Sequence, residues 1–200
     1  MRERFAKFIE SELSTDVVLI TCGLPASWKT ETAEEVQKIK GYPIIRTDIV
    51  RLEVLKGEDI FDEKVASDMD KRKKVYDEVF RQADEAAAMG GGVILDATFV
   101  TQSLRRRAAE IAARNNQLFV IMQTSCPQEV SIARIMKRTK ENYESNALTE
   151  QAYLNNKAKF EAVDLDDFKK LHPKLDIIHY TVDTESDLPE EWYVIGVERR

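Results

Sequence analysis

Five short apolar runs constrain this chain more than any other feature. Val17–Cys22, Pro43–Arg46, Val93–Asp96, Leu118–Gln123 and Leu175–Val182 are rich in Val, Ile and Leu, and several show no apolar–polar alternation. A strand with one wet face alternates. A strand without alternation has both faces covered, as in a parallel sheet sandwiched between helices. Helical stripes lie between the runs. Ala33, Val36 and Ile39 share a face, and so do Val65, Met69, Val75, Val79, Ala83 and Ala86 in a segment that stops at Gly90, Gly91 and Gly92. Leu104, Ala108, Ile111 and Ala112 form another stripe, and two more helices are expected over 128–140 and 149–163. Strands alternating with helices give right-handed βαβ units with helices on both sheet faces. The 200 residues read as a single α/β domain over 1–200, with residues 2–13 as an extra helix packed on the outside.

Composition narrows the function classes. Hydrophobic residues make up 43% and charged residues 33%, a globular balance. Thirty basic against 36 acidic residues leave a net charge of −6, which disfavours a protein that coats nucleic acid but permits a local basic pocket. No run approaches the ~18 apolar residues of a membrane span. The stretch from Met1 to Ile9 mixes charged with apolar residues, unlike a secretory leader. A cytoplasmic protein with no membrane partner is expected, with Cys22 and Cys126 as buried reduced thiols. There is no G-x-S-x-G, no H-E-x-x-H and no cysteine pair at zinc spacing, which weakens hydrolase-triad and metalloenzyme readings.

Chemistry enters after the first run. Gly23, Leu24, Pro25, Ala26, Ser27, Trp28, Lys29 and Thr30 follow a strand and open a helix. They match the phosphate-loop pattern G-x-x-x-x-G-K-[ST] except that Trp28 stands at the second glycine. In such a loop successive N–H groups and the helix N-terminus cradle phosphate, the lysine reaches the outer phosphates and the hydroxyl reaches Mg²⁺. Asp48 and Arg51 stand three apart at the start of a helix, a carboxylate able to take a proton beside a cation able to hold an anion. Asp96 ends a buried strand, just before Thr98. Arg134 and Arg138, four apart, share a face after the fourth strand. Arg105, Arg106 and Arg107 read as surface, with one of the three able to touch substrate.

Together these pieces resemble the P-loop kinases of the AAA-type ATPase-like group, which includes polynucleotide 5′-kinases, zeta-toxin-like kinases and gluconate kinases. The resemblance spans about 17–184 and ends with Val182, Asp183 and Thr184 after the fifth run. It implies a three-layer fold with a five-stranded parallel sheet in the order 2-3-1-4-5, and a helical lid over about 127–150. By the same resemblance the cofactors are ATP and Mg²⁺. Lys29 and Thr30 would hold phosphates and metal, with Asp96 supporting the metal. Asp48 would be the general base, Arg51 would bind an acceptor phosphate, and Arg134 or Arg138 would serve the lid. Val182–Thr184 would lie near the adenine. The acceptor would be a hydroxyl, either a polynucleotide 5′ end or a small molecule. Trp28 departs from the pattern, and Glu31 adds a negative charge near the phosphates. Both favour a rival reading, a pseudokinase or nucleotide-binding scaffold with weakened ATP binding; a third reading is an ATP hydrolase.

Overall fold

The computed structural model describes residues 2–62, 64–65, 68–139 and 147–200. Its elements run β1 (Glu3–Arg4), α1 (Phe5–Glu12), β2 (Val17–Cys22), α2 (Lys29–Lys40), β3 (Ile44–Arg46), α3 (Thr47–Val54) and α4 (Met69–Ala88). There follow β4 (Val93–Asp96), α5 (Gln102–Arg114), β5 (Leu118–Ser125), α6 (Gln128–Met136), α7 (Glu150–Lys159), α8 (Leu165–Leu171), β6 (Ile177–Asp183) and β7 (Tyr193–Arg199). Part of the expected lid, residues 140–146, lies outside the described residues.

The sheet order is β1-β7-β6-β5-β2-β4-β3. Its parallel strands are β3, β4, β2, β5 and β6, in the order the resemblance implies. The sheet as a whole is seven-stranded and mixed, not five-stranded and parallel. β7 runs antiparallel to β6, and the two residues of β1 run antiparallel to β7. β7 escaped the sequence reading because it lies next to the sheet edge, flanked on its outer side only by the two residues of β1: Val194 is buried, Ile195 is exposed and Gly196 interrupts the run. Nothing in it looks like a continuous apolar core strand.

Two apolar layers cover the sheet. Val18, Ile20, Val93 and Leu95 face α4 and α5 through Val75, Val79, Ala83, Ala108 and Ile111. Val17, Leu19 and Ile94 face α1 and α2 through Phe8, Ile9, Ala33 and Val36. α1 is therefore no outside attachment. Phe5 meets Trp192 edge-on at 6.1 Å, and Phe8 packs on Tyr180 at 5.0 Å. Met69, expected on a core face, is 72% exposed because it occupies the first turn of α4, outside the packed stripe. The last expected helix ends at Lys159, and a further helix that the sequence reading did not include, α8, follows it, capped by Asp164 accepting from the Asp167 N–H.

Arg105 corrects another expectation. Arg106 and Arg107 are half-exposed and pair with Asp167 and Asp77. Arg105 is fully buried. Its guanidinium donates to the carbonyls of Phe99, Val100, Glu161 and Ala162 and to Gln102 Oε1. It rivets the chain leaving β4 to the chain leaving α7. The stripe Ala108, Ala109 and Ala112 carries the signal, because Arg105 lies on the same helical face.

Candidate phosphate-binding site

The site grows from the C-terminal ends of β2, β3, β4 and β5, where open α/β sheets place ligands. Beyond β2 the chain turns at Gly23, whose φ is +145°. A Cβ there would lie 2.6 Å from Thr124 Oγ1 and 2.8 Å from the Thr124 carbonyl oxygen, so only glycine fits. Ser27 then anchors the loop. Its hydroxyl lies 2.7 Å from the Leu24 carbonyl oxygen and 2.6 Å from Thr124 Oγ1. The buried Thr184 hydroxyl donates to the Ser27 carbonyl at 3.0 Å.

Trp28 takes the left-handed conformation that glycine usually supplies, with φ +57° and ψ +34°. Ala26 does the same at φ +59°. Each such L-residue costs about 1–2 kcal/mol, so neighbouring contacts must hold the loop. Arg134 supplies several of them. It is 8% exposed. It donates to the carbonyls of Ala26, Thr184 and Glu185 and pairs with Asp187 at 2.7 Å. Its guanidinium lies 4.6 Å from the centre of the Trp28 ring, and the indole N–H donates to Asp187 at 3.3 Å. Arg134 Nη1 also lies 3.6 Å from the half-buried Cys126 thiol.

Lys29 and Thr30 open α2. The Lys29 ammonium folds back to the Leu24 carbonyl at 2.6 Å. Burial lowers its pKa, against the raising pull of Asp96. Thr30 Oγ1 donates to Asp96 Oδ2 at 2.6 Å, and Thr21 Oγ1 donates to Asp96 Oδ1 at 3.1 Å. Burial pushes the Asp96 carboxyl up, while those hydroxyls and Lys29 oppose the shift. Burial likewise raises the Glu31 carboxyl. Oxygen donors of this kind, a threonine hydroxyl and a buried carboxylate already in contact, suit a hard divalent cation such as Mg²⁺. Among the described residues no cluster of three or more His, Cys, Asp or Glu side chains could hold a metal on its own.

Asp48 and Arg51 sit in the first turns of α3, directly after β3, and bond to each other. Both contribute to the field at Tyr76, whose hydroxyl meets Thr98 beyond β4. Arg138 follows α6, donates to the Ala147 carbonyl at 3.4 Å and is close enough to Lys29 to lower its pKa. Two cavities flank the loop. One, about 270 Å³, is bordered by Gly23, Leu24, Gln123, Cys126, Ser131 and Lys157. The other, about 450 Å³, is bordered by Ala133, Arg134, Lys137, Glu185, Ser186 and Asp187.

The sequence profile of a family described as "AAA domain" matches residues 18–163. The chain belongs to the AAA-domain family. No curated protein matches it by sequence. Among solved structures, a gluconokinase from Sinorhizobium meliloti 1021 is similar, with TM-score 0.55 and 17% identity over 87% of this chain and 86% of that one. A sugar kinase from Janibacter sp. HTCC2649 gives TM-score 0.58 and 18% identity over 89% and 90%. The AvrRxo1-ORF1:-ORF2 complex with ATP gives TM-score 0.56 and 15% identity over 97% of this chain and 61% of that one. Identities this low speak for a shared kinase-like fold and not for a shared substrate.

In this AAA domain Thr30 meets Asp96, and Lys29 folds back onto Leu24, the residue after Gly23. Val182–Thr184 are placed differently from one another. Val182 is core, Asp183 accepts from the Glu185 N–H, and Thr184 is buried beneath the loop. The following Glu185–Leu188 segment lines the larger cavity. Thr124 and Asp187 were missed. Neither belongs to a spaced motif, and each meets the loop from a distant strand end. No helix is long and apolar enough to cross a membrane among the described residues.

Proposed function

We propose that the chain is a P-loop phosphotransferase that moves the γ-phosphate of ATP to a hydroxyl acceptor. The observation that carries this reading is the contact of Thr30 with Asp96 beside the Lys29 ammonium, at the sheet edge that also bears Asp48 and Arg51. The family match and a neighbour solved with ATP support a nucleotide as the donor. Lys29 neutralises phosphate charge, and the loop N–H groups fix phosphate oxygens. Thr30 and Asp96 are the residues that would hold Mg²⁺, which supplies further charge neutralisation when bound. Asp48 accepts the acceptor hydroxyl's proton as its oxygen bonds to phosphorus and the β–γ bridging bond breaks. Arg51 holds an anionic group of the acceptor. Arg138, following α6, is assigned to the lid, while the buried contacts of Arg134 suit it to holding the loop.

A second reading, a nucleotide-binding scaffold with weakened ATP affinity, is favoured by the Trp28 side chain lying against Arg134. Transfer of labelled γ-phosphate to gluconate, other sugars and a 5′-hydroxyl oligonucleotide separates the two. Transfer to any of them, lost in Asp48→Asn and lowered in Arg138→Ala, supports the enzyme. Tight Mg-ATP binding with no transfer and no hydrolysis supports the scaffold.

A further inference from the structure

A nucleotide on a phosphate loop lays its phosphates over backbone N–H groups and the lysine, and its base extends beyond them. Proteins grip a base by stacking it on a guanidinium or an aromatic ring and by hydrogen-bonding its edge. Beside this loop both grips exist and both are already used. The Arg134 guanidinium is held in place by Asp187 and the carbonyls of Ala26, Thr184 and Glu185. Its face carries the Trp28 ring at 4.6 Å. The acceptor that a base edge would use, the Asp187 carboxylate, takes the indole N–H at 3.3 Å. The 450 Å³ cavity against Arg134 and Asp187 leaves room for a ring, but the groups that would hold it serve the chain's own tryptophan.

We propose that Trp28 is an internal occupant of the base side of this site, so that the resting protein binds the phosphates of a nucleotide without gaining from its purine. The inference rests on reading Gly23–Thr30 as a phosphate loop. It makes Trp28 a specificity-determining residue: inorganic tripolyphosphate competes on equal terms with ATP until the indole is displaced. Asp187 is the natural release point, because its side chain is 65% exposed while that of Arg134 is 8% exposed.

Calorimetric titration with Mg-ATP and with Mg-tripolyphosphate tests this on the wild type, Trp28→Gly and Trp28→Asn. In the wild type the two ligands are expected to agree within about threefold, since a base without a grip adds little free energy. Trp28→Gly is expected to bind ATP roughly tenfold tighter while tripolyphosphate stays within about threefold, the size of one recovered stacking contact. Trp28→Asn, whose residue type tolerates the left-handed backbone at this position, should show the same ATP-selective gain. Displacement is also visible in fluorescence, because the other tryptophan, Trp192, is only 1% exposed. A wild type that prefers ATP about tenfold or more over tripolyphosphate overturns the inference, as does a Trp28→Gly gain equal for both ligands. In either case phosphate binding survives. If neither ligand binds any form, the phosphate-loop reading itself fails and the inference with it. Should Trp28→Gly not fold, Trp28→Asn decides alone: an ATP-selective gain supports the inference and unchanged affinities overturn it.

Discussion

The two flanks of the cleft are built on opposite plans. On the β3 side, Asp48 is bonded to Arg51 one helical turn away and its side chain is 35% exposed. A carboxylate has about four acceptor sites, so Asp48 keeps capacity for an incoming hydroxyl. On the β6 side, Arg134 is almost fully buried, meets three carbonyls and a carboxylate, and has an indole on its face. The first flank presents groups to a ligand. The second has used its groups on the protein itself. A position where glycine is replaced by a bulky residue thus needs more than tolerance: it needs partners that fix the new side chain, and here Arg134 and Asp187 are those partners.

Asp48→Asn should separate the flanks most sharply. Loss of a general base lowers the rate by about 10²–10⁴-fold. The melting temperature should not move, because the residue is partly exposed and its neighbour can re-solvate. Full activity in this variant would remove Asp48 from the chemistry and erase the contrast.

Arg134→Ala acts on the other flank through stability. It strands the carbonyls of Ala26, Thr184 and Glu185. Unsatisfied buried acceptors cost ~1–3 kcal/mol each, so a total of about 3 kcal/mol is expected after water re-enters. In a protein of this size that lowers Tm by roughly 6–12 °C. Thermal unfolding of this variant beside Asp48→Asn checks it, and equal melting points would show that the two flanks are alike.

Lys29→Met lies between the flanks and has two opposite effects. Phosphate binding should be lost, and the unliganded protein should gain about 1 kcal/mol, the usual trade at a strained site. Burial lowers the Lys29 pKa, so its cost to the fold is largest well below the ordinary value of 10.5 and fades as pH rises towards it. The stability gap between Lys29→Met and wild type should therefore shrink with rising pH. A gap that widens would contradict the burial of the ammonium.

Glu31→Gln carries the smallest effect. Its carboxyl is raised by burial, so the wild type loses stability as pH climbs through the raised value, and the glutamine variant does not. Removing the charge beside the loop should tighten phosphate binding about two- to fivefold, the scale of one screened charge. Urea unfolding at pH 4 and pH 7 measures the first part and titration the second.

The sequence made the centre of the site legible and left its supports obscure. Buried parallel strands are continuous apolar runs, so β2 and β4 could be read to the residue, and the glycine, lysine and threonine of the loop sit at a fixed spacing after one of them. Supports follow no spacing. Ser27 and Thr124 are 97 positions apart, and Trp28 and Asp187 are 159 apart, so only the folded sheet brings them together. Ala26 shows a second limit, since its left-handed backbone is invisible in a residue type that ordinarily avoids it. Arg105 shows a third. A charged residue on an apolar stripe was assigned by its charge, whereas its carbonyl partners made burial possible.

The β1–β7 pairing has a consequence in time. Arg4 finds the Glu190 carbonyl 186 residues later in the chain. Phe5, Phe8 and Ile9 belong to the same apolar layer as Trp192 and Val194. At a synthesis rate of ~5–20 residues per second, that greasy N-terminal face waits roughly 10–40 s for its partners to emerge from the ribosome. During that interval the phosphate loop and the parallel strands from β2 to β5 can already be assembled. The nascent protein then has a formed cleft at one edge of its sheet and an open apolar seam at the other, and that seam is the surface a holding chaperone would cover.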